Sequence, residues 1–192
     1  MNIDVLALPS GDVYKASSRW VIYNRTSMLK KYGIHLHILH HRGSFFHKIA
    51  YYFKLIKYST KIRVIIVQGR LLSDVELMLL RLFRVNIIYI YVDAIFEKSL
   101  DDHHEGVYKY RIQALNKLLL ASAAVVVGNN YIKEYSIKYN SNVHIIPGTF
   151  KPEEYKIKYS NGEKTKLCIG WIGYSGNGIG LLMIKTILKN LI

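Results

Sequence analysis

Two hydrophobic patterns alternate along this chain. Short β-branched runs are followed by longer stretches in which apolar positions recur at helical spacing. The short runs predict strands at residues 3–8, 34–39, 63–67, 86–92, 124–127 and 143–146. The longer stretches predict helices at about 17–32, 45–58, 72–83, 108–121 and 131–139. Pro9-Ser10-Gly11 closes the first strand, Ser17 or Ser18 is placed to cap the helix after it, and Gly33 is the natural stop of that helix. Ser73 and Asp74 stand at the start of the helix over 72–83. The run 86–92 is apolar at nearly every position, as a strand buried on both faces must be. Helical spacers between strands force crossovers. The expected fold is therefore α/β, a doubly wound and mostly parallel Rossmann-like sheet. Ligands of such sheets bind at the carboxyl ends of the strands, which directs attention to the loops after Leu8, Leu39, Val67, Val92, Val127 and Ile146.

The pattern changes near residue 149. The expected organisation is an N-terminal domain over 1–148 and a polar interdomain linker over 149–166. Over 167–192 follows a β-loop-α unit that opens a second domain. Composition adds limits. Hydrophobic residues are 51% and charged residues 21%, which excludes a disordered chain. The single cysteine, Cys168, excludes an internal disulfide framework and fits a reducing, cytoplasmic setting. The first apolar run contains Asp4 and lacks a basic start, so it reads as a strand rather than a signal peptide. No apolar run reaches the roughly 18 residues a membrane span needs. Lys and Arg number 27 against 13 Asp and Glu, a formal charge of +14, so an anionic partner is expected: nucleic acid, anionic lipid or a nucleotide diphosphate. The 16 tyrosines suit base stacking or a membrane interface.

Candidate chemistry lies at a few places. The glycine-rich turn over 170–180 follows an expected strand and precedes a helix, where backbone N–H groups can approach a phosphate. Its spacing matches neither the dinucleotide fingerprint nor a P-loop. Asp93 falls at the end of the strand over 86–92, where a carboxylate can orient a hydroxyl, act as a base or simply cap a helix. His40-His41 and His103-His104 are adjacent pairs whose side chains diverge. Asp101-Asp102 and Glu105 flank the second pair, which makes it the more suggestive of a metal, but a solvated polar loop is the expected reading and no metal is expected. In the helix over 47–61, Ile49, Tyr52 or Phe53, and Ile56 share a face ringed by Lys48, Lys54, Lys57 and Lys61. That face suits an anionic membrane surface or, equally, the packing of a covering helix on the sheet.

The order of these motifs resembles family 4 glycosyltransferases of the GT-B fold. The resemblance rests on SSRWVIYNRTSMLKKYGIHLHI (17–38), RVIIVQGRLLSDVELMLLRLFRVNIIYIYVDAIFE (63–97), AAVVVGNNYIKEYSIKYNSNVHIIPGTFKPEEY (123–155) and KLCIGWIGYSGNG (166–178). It implies an acceptor-side N-terminal domain and the beginning of a nucleotide-sugar domain, in a chain expected to be truncated. It implies retaining transfer from a nucleotide sugar, a co-substrate with no further cofactor, to a glycan or lipid-linked acceptor. Gly173 and Ser175 would face the donor diphosphate, Gly11, Arg19, Asp93 and His103 the acceptor, and Asp93 would be catalytic. The chain departs from the family in having Val92-Asp93 in place of an acidic pair. The resemblance would place the donor-binding region beyond residue 192, so the chain alone is expected to be inactive, with a separately encoded C-terminal half as a candidate partner. The alternative reading is a non-catalytic module that binds a glycan, a membrane surface or a partner protein, peripheral at the inner face of the membrane. Nucleic acid is the lesser alternative and is not expected among the partners.

Overall fold

The computed structural model describes residues 3–41, 45–98, 104–148, 170, 182 and 184–189. The chain divides into two units, Met1–Phe150 and Lys151–Ile192. The first unit is an α/β domain around a six-stranded, all-parallel sheet in the order β2-β1-β3-β4-β5-β6. Its strands are β1 (Ile3–Pro9), β2 (Ile34–Ile38), β3 (Val64–Gln68), β4 (Asn86–Tyr91), β5 (Ala124–Val127) and β6 (Val143–Ile145). Its helices are α1 (Ala16–Val21), α2 (Thr26–Lys31), α3 (Phe45–Ser59), α4 (Asp74–Leu82), α5 (Glu105–Ala121) and α6 (Asn130–Ser136). In the second unit, one described helix, α7 (Lys185–Lys189), exposes Ile187. The expected linker and the glycine turn lie outside the described residues, except Gly170, as does most of the β-loop-α unit.

Alternation along the strands divides the apolar residues between two faces. Leu6, Leu8, Ile65, Val67, Ile87, Tyr89, Tyr91, Val125 and Val127 belong to one buried cluster with Tyr51 and Leu55 of α3, Leu80 of α4, Leu115, Leu118 and Leu119 of α5, and Ile132 of α6. That cluster is the main core. On the opposite face Val5 and Ala7 are buried, whereas Ile66, Ile88, Ile90 and Val126 are half-buried. The sheet reads as apolar on both sides because most of its strands contribute to both layers.

The expected single helix over 17–32 is broken. α1 stops at Val21, a 3-10 turn spans Tyr23–Arg25, and α2 resumes at Thr26. Ser17 and Ser18 do not cap it; the N-cap is Lys15, without a side-chain cap bond. Ser18 is unavailable as a cap because its buried hydroxyl is bonded to Gln68 and to the loop after β1, as set out below. α4 starts as its sequence suggests. Ser73 accepts from Glu76 N, and Glu76 reaches back to Ser73 N at 2.8 Å, a complete capping box. Gly33 follows α2 at φ 75°, a left-handed position that glycine fills without strain.

Candidate functional site

The strand order reverses at β1, which has β2 on one side and β3 on the other. Connections from the carboxyl ends of β1 and β3 therefore part in opposite directions, and a crevice opens between them. Its floor is polar. Gln68 ends β3 and is 2% exposed. Its Oε1 accepts from Ser18 Oγ at 3.0 Å, Ser10 N at 3.3 Å and Ser10 Oγ at 3.4 Å. Ser18 Oγ in turn accepts from Gly11 N at 3.1 Å. Gly69, at φ 57°, donates its N–H to Ile90 O at 2.9 Å and turns the chain out of the sheet. These polar groups of the crevice bond one another, which fixes the two loops and locks α1 onto β3.

Beside the crevice, Arg70 leaves β3 and meets Glu76 of α4. The Arg70 guanidinium lies 2.5 Å from Glu76 Oε1, which also accepts from Tyr51 of α3 at 2.5 Å. Ser73 Oγ donates to Glu76 Oε2 at 2.9 Å. Burial alone would raise the Glu76 pKa, but Arg70 and these hydrogen bonds outweigh it and hold the carboxyl below its usual value. The same burial, with Glu76 adjacent, pushes the Tyr51 hydroxyl up. The group is a buried structural knot rather than a poised acid or base.

The residues singled out in the sequence scatter. Gly11 lies in the crevice loop and Arg19 on α1 with its side chain exposed. Asp93 is exposed at the end of β4, beside a shallow hollow of about 240 Å³ shared with Glu97 and Arg111. Arg111 holds that loop by donating to Ile95 O and Glu97 O, each at 2.8 Å. His103, Gly173 and Ser175 lie outside the described residues. Several histidines pair individually: His37 with Asp4 at 2.9 Å, His40 with Tyr23 at 2.7 Å and His144 with Asn142 at 2.8 Å. The sequence pattern does not point to Gln68, Arg70, Tyr51 or Glu76; the one signal that could have found Glu76 is its place three residues after Ser73, the spacing of a capping box.

The basic helix is more informative. α3 buries Tyr51, Leu55 and Ser59 against the sheet. Phe46 is 80% exposed, Phe53 71% and Ile49 42%. Tyr52 and Ile56, expected on the same face as Ile49, are instead half-buried on its flank. Lys48, Lys54, Lys57 and Lys61 are exposed, and α3 contains no acidic residue.

No family model matches the chain, and no curated protein matches it. Among solved structures it is similar to the transcription regulator CcpA of Lactococcus lactis, at 12% identity and a TM-score of 0.37, over 79% of this chain and 80% of that one. At that TM-score the likeness assigns no role to any residue here. The comparison returns a transcription regulator where a glycosyltransferase was expected. Membership of family 4 glycosyltransferases is therefore corrected, and with it sugar transfer, the nucleotide-sugar donor, the glycan or lipid-linked acceptor and the separately encoded half. The exclusion of nucleic acid from the partners is withdrawn on the same finding.

Proposed function

We propose that this chain is a binding module that docks on an anionic membrane surface through the outward face of α3. The observation that carries the reading is the exposure of Phe46, Ile49 and Phe53 on a helix whose other face is buried in the core. A helix that only covers a sheet turns its large apolar residues inward. Here two phenylalanines face water amid exposed lysines, the arrangement of a helix lying in a lipid headgroup layer. No described helix is long and apolar enough to cross a membrane, so the contact in this reading is peripheral.

Co-sedimentation tests it, with vesicles of phosphatidylcholine alone or mixed with phosphatidylglycerol. The chain is expected to bind the anionic vesicles only. Phe46→Ser with Phe53→Ser should weaken binding, and each of Lys48→Glu, Lys54→Glu and Lys57→Glu should cost at least about fivefold, from ~1 kcal/mol per lysine near such a surface. Unchanged far-UV circular dichroism would confirm that the variants fold. Absence of binding to anionic vesicles would sink the reading.

A second reading, nucleic-acid binding, is favoured by basic groups away from α3. Arg81, Arg84 and Lys117 line a groove of about 750 Å³ at the amino end of β4. If it holds, Arg81→Glu with Arg84→Glu abolishes retention on duplex DNA while the α3 variants leave it intact.

A further inference from the structure

Between β2 and α3 lies a hollow of about 470 Å³ whose rim carries Lys54, Lys57 and Lys61. Buried Leu39 and Ile62 form part of its wall, and Tyr58 packs against the His37 ring at 5.5 Å. One carboxylate, Asp4, belongs to the lining, and it is already bonded to His37 Nε2 at 2.9 Å. Among the described residues, the three ammonium groups are thus opposed in this hollow by a single carboxylate that has another partner.

Their spacing makes the imbalance sharper. Lys54 and Lys57 are three residues apart on α3, and Lys61 follows four residues later. Lys54 and Lys57, one helical turn apart, repel each other, and Lys61, just past the end of α3, adds a third positive charge to the same hollow. No acidic residue of α3 offsets them. Such a cluster at a concave place is relieved by an anion that meets several ammonium groups at once. A phosphomonoester, with close to two negative charges at neutral pH and three acceptor oxygens, matches the cluster better than a singly charged phosphodiester. We infer that this hollow is a phosphomonoester site, formed by Lys54, Lys57 and Lys61 beside the His37–Asp4 pair. The phosphate is either a lipid headgroup or a free metabolite. The lipid source rests on the membrane reading above and names the headgroup that reading would prefer.

The full chain is tested against vesicles containing phosphatidic acid, vesicles containing phosphatidylglycerol at matched zeta potential, and free glycerol 3-phosphate by titration calorimetry. With a lipid source, phosphatidic acid vesicles bind at least fivefold more tightly. Lys57→Gln with Lys61→Gln brings the ratio to one, whereas Phe53→Ser weakens both vesicle types equally and leaves the ratio unchanged. If neither vesicle binds but glycerol 3-phosphate does, and the double lysine variant loses it, the site holds with a free phosphate and the membrane reading fails. Equal binding to both vesicles without any glycerol 3-phosphate binding overturns the site and leaves the membrane reading standing. No binding in any arm overturns both.

Discussion

Tyr89 and Tyr91 stack on one face of β4, with ring centroids 4.9 Å apart and planes 16° apart. Their hydroxyls have different surroundings. Tyr91 Oη meets Ser136 Oγ at 2.5 Å. Tyr89 Oη is buried without a hydrogen-bond partner among the described residues. Burial, reinforced by Tyr91 and Asp93, pushes the Tyr89 hydroxyl above its usual pKa, so it stays a neutral phenol. An unpaired buried hydroxyl loses its bonds to water and gains nothing in return. Tyr89→Phe is therefore expected to stabilise the protein by about 1 kcal/mol, raising Tm by roughly 3 °C for a chain of this size. Tyr91→Phe should cost about 1 kcal/mol, since Ser136 Oγ keeps its bond to Ile132 O at 2.8 Å. Urea unfolding of the two variants measures the contrast. A destabilised Tyr89→Phe would mean that the hydroxyl has a partner.

Glu76 ties three elements together at the carboxyl end of the sheet: α4 through its own cap, the loop after β3 through Arg70, and α3 through Tyr51. Side chains of Arg70 and Glu76 are 14% and 3% exposed, so their contact is shielded from solvent. Glu76→Gln leaves Arg70 without its counter-charge and is expected to cost about 3 kcal/mol. The acid limb carries the same information. The Glu76 carboxyl binds its proton less readily folded than unfolded, so its contribution is complete above the ordinary value of 4.5 and disappears as pH falls through the lowered folded value. Wild-type stability should fall over that window, and Glu76→Gln should flatten this part of the profile, as thermal melts across acid pH will show. A profile unchanged by Glu76→Gln would remove Glu76 from the account. The knot also marks how far elements could be read from sequence. Strand positions and the α4 cap were legible because periodicity and capping act over a few residues. The loss of Ser18 as a cap for α1 was not, because its hydroxyl is held by Gln68, fifty residues away. Nor could periodicity tell which apolar flank of α3 the sheet would take: it took Tyr51 and Leu55 and left Phe46, Ile49 and Phe53 outside. Motif order suggested a sugar-transfer site, but the described crevice residues Gln68, Ser10 and Ser18 bond one another.

Across the whole molecule, 27 basic residues against 13 acidic ones leave a formal charge of +14. Some acids are already engaged: Asp74 with Lys117 at 2.8 Å, Glu105 with Lys98 at 3.4 Å, and Glu76 with Arg70. The excess of cations must therefore repel itself in the folded state, where the chain is compact, more than in the unfolded chain. Salt shortens the reach of that repulsion to about 10 Å at 0.1 M. Without any ligand, Tm is expected to rise by a few degrees between 10 and 150 mM sodium chloride. Sodium phosphate at equal ionic strength should raise it further, because a phosphate seated among Lys54, Lys57 and Lys61 binds the folded state selectively. Lys57→Gln with Lys61→Gln should raise Tm at low salt and remove the extra effect of phosphate, while the response to chloride shrinks but persists. Scanning calorimetry separates these terms. A Tm indifferent to salt would mean that the uncompensated cations stand too far apart to repel one another, against the dense lysine cluster on which the phosphate site depends.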